Sequence, residues 1–86
     1  MSLIPDQTDL IEALNLAAEA HHRYEQDYLA GERDNAWAGW YAAYLLGRLG
    51  SFAPPGDLAR WLESAPSDQD WNRRAAALIL NQLRSA

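Results

Sequence analysis

Most of the side chains that could do chemistry in this sequence lie between positions 21 and 48. His21 and Glu25 are one helical turn apart, so on a helix the carboxylate lies beside the imidazole and can orient it as a general base. Arg48 could hold a carboxylate or phosphate through two parallel hydrogen bonds. Aromatic side chains between them could form the walls of a pocket. The candidate ligand-binding residues are His21, Tyr24, Glu25, Trp37, Trp40, Tyr41, Tyr44 and Arg48.

The spacing of apolar residues predicts the helices that must position this cluster. Spacings of four and three place a run of residues on one face of a first helix: Leu10, Leu14, Ala17, His21, Tyr24 and Tyr28. No stretch alternates as a strand would. The pattern predicts an all-α single domain over residues 1–86, in which a long antiparallel helical hairpin is covered by a shorter helix pair. The predicted helices span residues 7–30, 35–49, 55–64 and 68–84.

Turn and capping residues punctuate this pattern. Gly31 and Gly50 are suited to helix C-termini, and Asp34 or Asn35 to the start of the second helix. Pro54 and Pro55 precede the third helix. Ser67 and Asp70 have the spacing of a capping box for the fourth helix.

A short loop between the first two helices fixes which residues face each other. With the turn near residue 32, Glu25 should lie near Trp40 and Tyr41, His21 near Tyr44, and Ala17 near Arg48. This register predicts a polar network of Glu25, His21 and Arg48. The network is either a buried structural element that fixes the hairpin or part of an open pocket.

Composition excludes several classes of protein. The formal net charge of −5 argues against nucleic acid and against anionic membrane surfaces, because both need a basic patch. All seven cationic residues are Arg, so lysine chemistry is excluded, and there is no Cys to form a disulfide or a thiolate metal site. No apolar run is long enough for a membrane helix, and residues 1–6 do not resemble a signal peptide. We expect a cytoplasmic protein of bacterial composition without a cofactor.

Metal binding and catalysis are weaker alternatives. Glu19 and His22 have the Glu-x-x-His spacing of dimetal bundles, but there is one copy and it falls on the solvated side of the helix. Every Ser falls at a terminus, a cap or a loop, so no nucleophile–base pair is evident. No metal ligand or catalytic residue is therefore assigned, and an enzyme with His21 and Glu25 as its acid–base pair ranks third among the functions.

Aromatic residues exceed the needs of a small core. Four Trp and four Tyr in 86 residues either compensate for small size or form a binding surface. Leu16 and Leu80 are expected to point away from the apolar faces of their helices. The leading prediction is a non-catalytic interaction or assembly module that acts as a homodimer, or with another protein partner. The alternative is a small-ligand-binding protein, with a small anion as the expected ligand, that uses the groove between the first two helices.

One resemblance covers about a third of the chain. The segment His21-His22-Arg23-Tyr24-Glu25, followed by Trp37-Ala38-Gly39-Trp40-Tyr41-Ala42-Ala43-Tyr44, resembles a pattern in short bacterial helical proteins of unknown function. It implies that these aromatic, His and Glu positions form one unit, and it implies no activity.

Overall fold

The computed structural model describes residues 4–32, 34–67 and 69–85, which form four α-helices and no strand. The predicted all-α fold is confirmed. The helices pack in a ring, in which α1 contacts α2 and α4, and α3 contacts the same two helices. Among the described residues, no helix has both the length and the apolar character that a membrane span requires. The helices are α1 (Gln7–Tyr28), α2 (Trp37–Leu49), α3 (Pro55–Ser64) and α4 (Trp71–Ser85).

The first helix begins at the predicted residue and ends two residues early. The Asp6 carboxylate accepts a hydrogen bond from the backbone N–H of Asp9 at 2.8 Å, which satisfies one of the free donors of the first turn. At the other end Ala30 and Gly31 both adopt positive φ, 53° and 83°, so the helix stops at Tyr28 and not at residue 30. Gly31 takes this conformation without strain because it has no Cβ.

The connection from α1 to α2 is longer than the predicted four residues. It spans residues 29–36, because α2 begins at Trp37 with Ala36 in the capping position. Asp34 does not cap the helix itself; its Oδ1 accepts the N–H of Ala36, two residues on, which is an Asx turn. The predicted caps Asp34 and Asn35 are therefore wrong as caps.

The predicted capping box of the fourth helix is also wrong. The helix begins at Trp71, and the carbonyl of Asp70 accepts the N–H of Arg74 at 3.0 Å, as an N-cap residue does. Ser67 lies before the helix. Asp68 lies outside the described residues.

The core is built from aliphatic side chains at the centre of the ring. Leu and Ala dominate it, and no Trp or Tyr is fully buried. Leu80 is only 4% exposed and belongs to the core, so its predicted outward direction is wrong. The largest fully buried side chains are Leu10, Leu14, Leu45, Leu58, Leu62 and Ile79.

The buried face of α2 is not its aromatic face. Ala38, Ala42 and Leu45 face the core. Since each residue rotates the helix by about 100°, this face lies roughly 100° from the centre of the face that Trp37, Tyr41, Tyr44 and Arg48 share. Small alanines let α2 approach its neighbours closely, and the aromatic side chains flank the contact.

Candidate functional site

A cleft of about 430 Å³ lies at one end of the helix ring, within the size range of small-ligand sites. The C-terminal ends of α1 and α3 and the N-terminal ends of α2 and α4 border it. Two of the candidate polar residues and two of the candidate aromatic residues meet there. The residues that line it are His21, Glu25, Asp34, Trp37, Tyr41, Leu62, Glu63, Ala65, Ser67 and Trp71.

His21 is the buried polar group of this end of the molecule, with 6% of its surface exposed. Its Nε2 lies 3.0 Å from Oδ2 of Asp34. The hydrogen bond with His21 lowers the pKa of the Asp34 carboxyl, against the opposing effect of desolvation. An ionised carboxylate only accepts hydrogen bonds, so the proton lies on Nε2 of His21, which donates it to Asp34.

Glu25 completes a cluster of three polar side chains with His21 and Asp34. Its Oε2 accepts the backbone N–H of Asp34 at 2.9 Å, which ties the loop to α1. Its Oε1 lies 3.9 Å from Nδ1 of His21, too far for a hydrogen bond. Neither of these two atoms has a hydrogen-bond partner in the described part of the chain. Among the residues that are not exposed, every fully buried side-chain N or O atom does have one, so Nδ1 and Oε1 keep some accessible surface, and both residues line the cleft.

Three aromatic rings, which we call the cleft wall, form one side of the cleft. Trp37 and Tyr41 of α2 and Trp71 of α4 contact each other edge to face, with ring centroids 5.5 to 5.9 Å apart. This geometry is the preferred one for aromatic pairs. Burial, followed by the charge of Glu25, raises the pKa of Tyr41, so its hydroxyl stays protonated. The wall therefore offers ring faces and a neutral hydroxyl beside the carboxylates.

A second aromatic group, the outer ladder, lies on the other side of His21 and does not line the cleft. It consists of Tyr24 and Tyr28 of α1 with Trp40 and Tyr44 of α2. Successive centroids from Tyr28 through Tyr24 and Trp40 to Tyr44 are 5.6, 5.9 and 5.7 Å apart. The His21 ring contacts both groups, at 4.9 Å from Trp40 and 5.2 Å from Tyr41.

The predicted position of Arg48 is wrong. Its side chain is 45% exposed and lies 3.9 Å from Glu12, away from His21 and Glu25. The register differs from the prediction by about one turn, since His21 lies beside Trp40 and Tyr41 and not beside Tyr44. A small anion that depends on Arg48 therefore has no support at this site.

The Glu19 and His22 pair is exposed, as its place on the helix predicts. Among residues 4–32, 34–67 and 69–85, no group of three or more His, Cys, Asp and Glu side chains is arranged to hold a metal ion. Within the same residues, no hydrogen bond joins the Ser67 hydroxyl to His21, as nucleophilic activation of that serine would require.

Sequence reasoning missed several residues of the cleft. Asp34 was considered only as a cap, yet it is the partner of His21. An acidic residue in the loop that follows a buried His is a weak signal for such a pair. Trp71 shares the apolar side of the fourth helix with core residues, and only its tertiary contacts with Trp37 and Tyr41 of α2 reveal its role in the cleft. The other residues that were missed are Leu62, Glu63, Ala65 and Ser67.

Comparison of the chain with protein-family models, curated proteins and solved structures gives no match. The site is therefore interpreted from its own geometry.

Proposed function

We propose that this chain is a small-ligand-binding protein whose site is the cleft at the α1–α2 loop end of the ring. The observation that carries the proposal is the meeting of His21, Glu25 and Asp34 with the cleft wall in one open cavity of about 430 Å³. Apolar walls with a few convergent polar groups are the usual composition of small-ligand sites. The cleft draws on all four helices, so the ring of helices holds its residues in place.

The polar cluster also has a structural role, because Glu25 and Asp34 hold the loop against α1. A structural role alone would leave no polar atom open to the cleft. Nδ1 of His21 and Oε1 of Glu25 have no partner among the described residues and are not fully buried, so both can accept a hydrogen bond from a ligand in the cleft that their residues line. The presence of these two unpartnered acceptors favours a ligand-binding site over a purely structural network.

Nuclear magnetic resonance tests the proposal directly. Benzylamine, benzyl alcohol and benzoate are added separately to the ¹⁵N-labelled chain, and the amide signals of Glu25 and Asp34 and the indole signals of Trp37 and Trp71 are followed. We expect at least one probe to shift these signals together and to saturate. Shifts confined to other parts of the chain would contradict a binding site in the cleft.

A filled cleft provides the matched control. Ser67 is exposed and lines the cleft, so Ser67→Trp should obstruct it without disturbing the core. Ser51 is exposed and does not line the cleft, and Ser51→Trp should leave binding unchanged. Equal loss of binding in both variants would show that the effect does not come from the cleft.

A homodimeric interaction module is the second candidate, and the outer ladder favours it. Tyr28 at the end of the ladder is 78% exposed, and its ring continues into those of Tyr24, Trp40 and Tyr44. Aromatic residues are enriched at protein interfaces. A second copy of the chain is the partner proposed for this surface.

Sedimentation equilibrium decides between monomer and dimer. If the ladder is the dimer interface, Tyr28→Glu should weaken dimerisation at least about tenfold, because a charge would enter an aromatic contact. Ile4→Glu adds the same charge at an exposed large apolar residue outside the ladder and should have little effect. A single monomeric species at millimolar concentration would contradict the candidate.

A further inference from the structure

The chemistry of the open atoms in the cleft specifies a class of ligand. Nδ1 of His21 and Oε1 of Glu25 both present lone pairs, since Nε2 carries the imidazole proton that is donated to Asp34. We propose that the ligand is a protonated primary amine, whose ammonium group donates one hydrogen bond to Oε1 of Glu25 and one to Nδ1 of His21. This inference rests on the proposed function of the cleft as a ligand site.

The distance between the two acceptors fits one ammonium nitrogen. They are 3.9 Å apart. A nitrogen placed about 2.8 to 3.0 Å from each, the usual length of such a bond, bridges them with an angle near a right angle at the nitrogen. An ammonium group has three N–H donors, so one remains for a further acceptor of the cleft or for water. A carboxylate or phosphate has no N–H and would place its own lone pairs against these atoms.

The charges around the cleft favour a cation. Three carboxylates line it, those of Glu25, Asp34 and Glu63, and the pKa of Asp34 is lowered, so it stays ionised. None of the Arg side chains that the structure describes lines the cleft. Two helix N-termini and two helix C-termini meet at this end, so their dipoles largely cancel and the side chains determine the sign of the field.

The cleft wall suits the rest of such a ligand. A cation over a Trp or Tyr face is attracted by the ring quadrupole, with Trp the strongest of the aromatic residues. Trp37 and Trp71 lie in the wall beside the carboxylates, so an organic group attached to the ammonium would pack on their rings. The inferred ligand therefore has one primary ammonium and an apolar portion.

Four probes of similar size separate charge from hydrogen bonding: benzylamine, benzyltrimethylammonium, benzyl alcohol and benzoate. The same four signals are followed, from the amides of Glu25 and Asp34 and the indoles of Trp37 and Trp71. We expect benzylamine to bind most tightly, at least about tenfold more tightly than benzyl alcohol, because a charge-assisted hydrogen bond is about twice as strong as a neutral one. Benzyltrimethylammonium has the charge without N–H donors and should bind more weakly than benzylamine. Benzoate should not bind.

Variants that each remove one carboxylate charge test whether benzylamine binds at the cleft. Glu63 is exposed and forms no hydrogen bond in the described structure, so Glu63→Gln should fold normally and weaken benzylamine binding roughly three- to fivefold, the effect of one unit charge at short range in water. Glu25→Gln removes a direct acceptor and should weaken it by about tenfold or more. Glu19→Gln removes the same charge from an exposed position of α1 outside the cleft and should leave the affinity unchanged.

Each outcome bears on one of the two proposals. Equal affinity for benzylamine and benzyltrimethylammonium would overturn the ammonium bridge. Binding of benzyl alcohol or benzoate to the cleft signals as tight as that of benzylamine would overturn the inference of a cation, while the cleft would remain a ligand site. If no probe shifts the cleft signals, both the ligand site and its ligand class are wrong. Loss of affinity in Glu63→Gln and not in Glu19→Gln supports both.

Discussion

The cleft wall and the outer ladder come from the same helix but differ in their surroundings. Trp37 and Tyr41 are one turn apart on α2, and so are Trp40 and Tyr44, on the adjacent stripe. The first stripe continues to Leu45, which is fully buried, and contacts Trp71 of α4. The second stripe continues towards exposed Arg48, and among the described residues its rings contact only rings of α1 and of α2 itself. One aromatic pair therefore joins three helices, and the other covers a single two-helix groove.

The two pairs have similar aromatic content, so their different contacts follow from the sides of α2 on which they lie. A shift of three residues along α2 moves an aromatic side chain from the packed end of the ring to its surface. His21 contacts both groups, which also meet directly where Trp40 of the ladder lies 6.0 Å from Tyr41 of the wall. We therefore expect the cleft wall to contribute to the free energy of unfolding and to ligand binding. We expect the outer ladder to contribute little to the free energy of unfolding of the isolated chain.

The largest expected effect is the loss of His21, which should loosen both regions. His21→Ala removes the donor to Asp34, leaves two carboxylates facing each other, and removes a ring that packs against Trp40 and Tyr41. Removing one partner of a buried hydrogen bond costs about 1–3 kcal/mol and the lost ring leaves a cavity, so we expect a loss of about 3 kcal/mol in the free energy of unfolding, measured by urea denaturation.

His21→Gln is the matched control, since its amide can still donate to Asp34. It should recover part of the loss. An unchanged unfolding free energy in His21→Ala would mean that the two aromatic regions are independent of the polar cluster.

The comparison between wall and ladder is tested most directly by two tyrosines three residues apart. Tyr41→Ala removes a ring that contacts Trp37, Trp40, Trp71 and His21. Tyr44→Ala removes one that contacts Trp40. We expect losses of about 2–3 kcal/mol and about 1 kcal/mol respectively in urea denaturation, both below the cost at a fully buried aromatic residue. Equal losses of unfolding free energy would mean that the cleft wall and the outer ladder contribute equally to stability.

The free energy of unfolding at acidic pH should depend on Asp34. Its pKa lies below the ordinary value of 3.8 in the folded chain, chiefly because His21 donates to it. The unfolded chain therefore binds more protons near this pH, and the contribution of Asp34 to stability, present above about pH 4, is lost as the pH falls through the folded pKa.

Asp34→Asn removes this contribution. The variant should be less stable than the parent chain at pH 7, and the difference should narrow below about pH 4. Denaturation curves recorded at a series of pH values check this. A difference that stays constant from pH 7 to pH 3 would mean that the charge of Asp34 does not contribute.

The fold could be predicted because its helices are encoded locally. Pro55, the acidic first turn and the Leu58 and Leu62 pair determine α3, whose predicted and observed bounds coincide. The end of α1 could not be predicted to the residue, because Ala30 adopts a left-handed conformation that non-glycine residues rarely take. The early end of α1 and the late start of α2 at Trp37 together lengthen the loop.

The candidate site was predicted in part, for a related reason. His21 and Glu25 are separated by four residues on one helix, so helical geometry alone brings them together. Asp34 joins them through the path of a loop, and Trp71 through the packing of a distant helix, neither of which periodicity encodes. Arg48 could not be placed correctly, because Ala38, Ala42 and Leu45 occupy the buried face of α2 and Arg48 lies on a different face.

The smallest expected effect belongs to Tyr28, at the open end of the ladder. Its ring is 78% exposed and contacts only Tyr24 among the rings of the described residues, so Tyr28→Ala should change the unfolding free energy by less than about 0.5 kcal/mol at micromolar concentration. If the ladder joins two copies of the chain, the effect should grow with protein concentration, since dimerisation stabilises the folded state by mass action. Thermal melts over a hundredfold range of concentration therefore measure whether the ladder is a solvated surface or an interface.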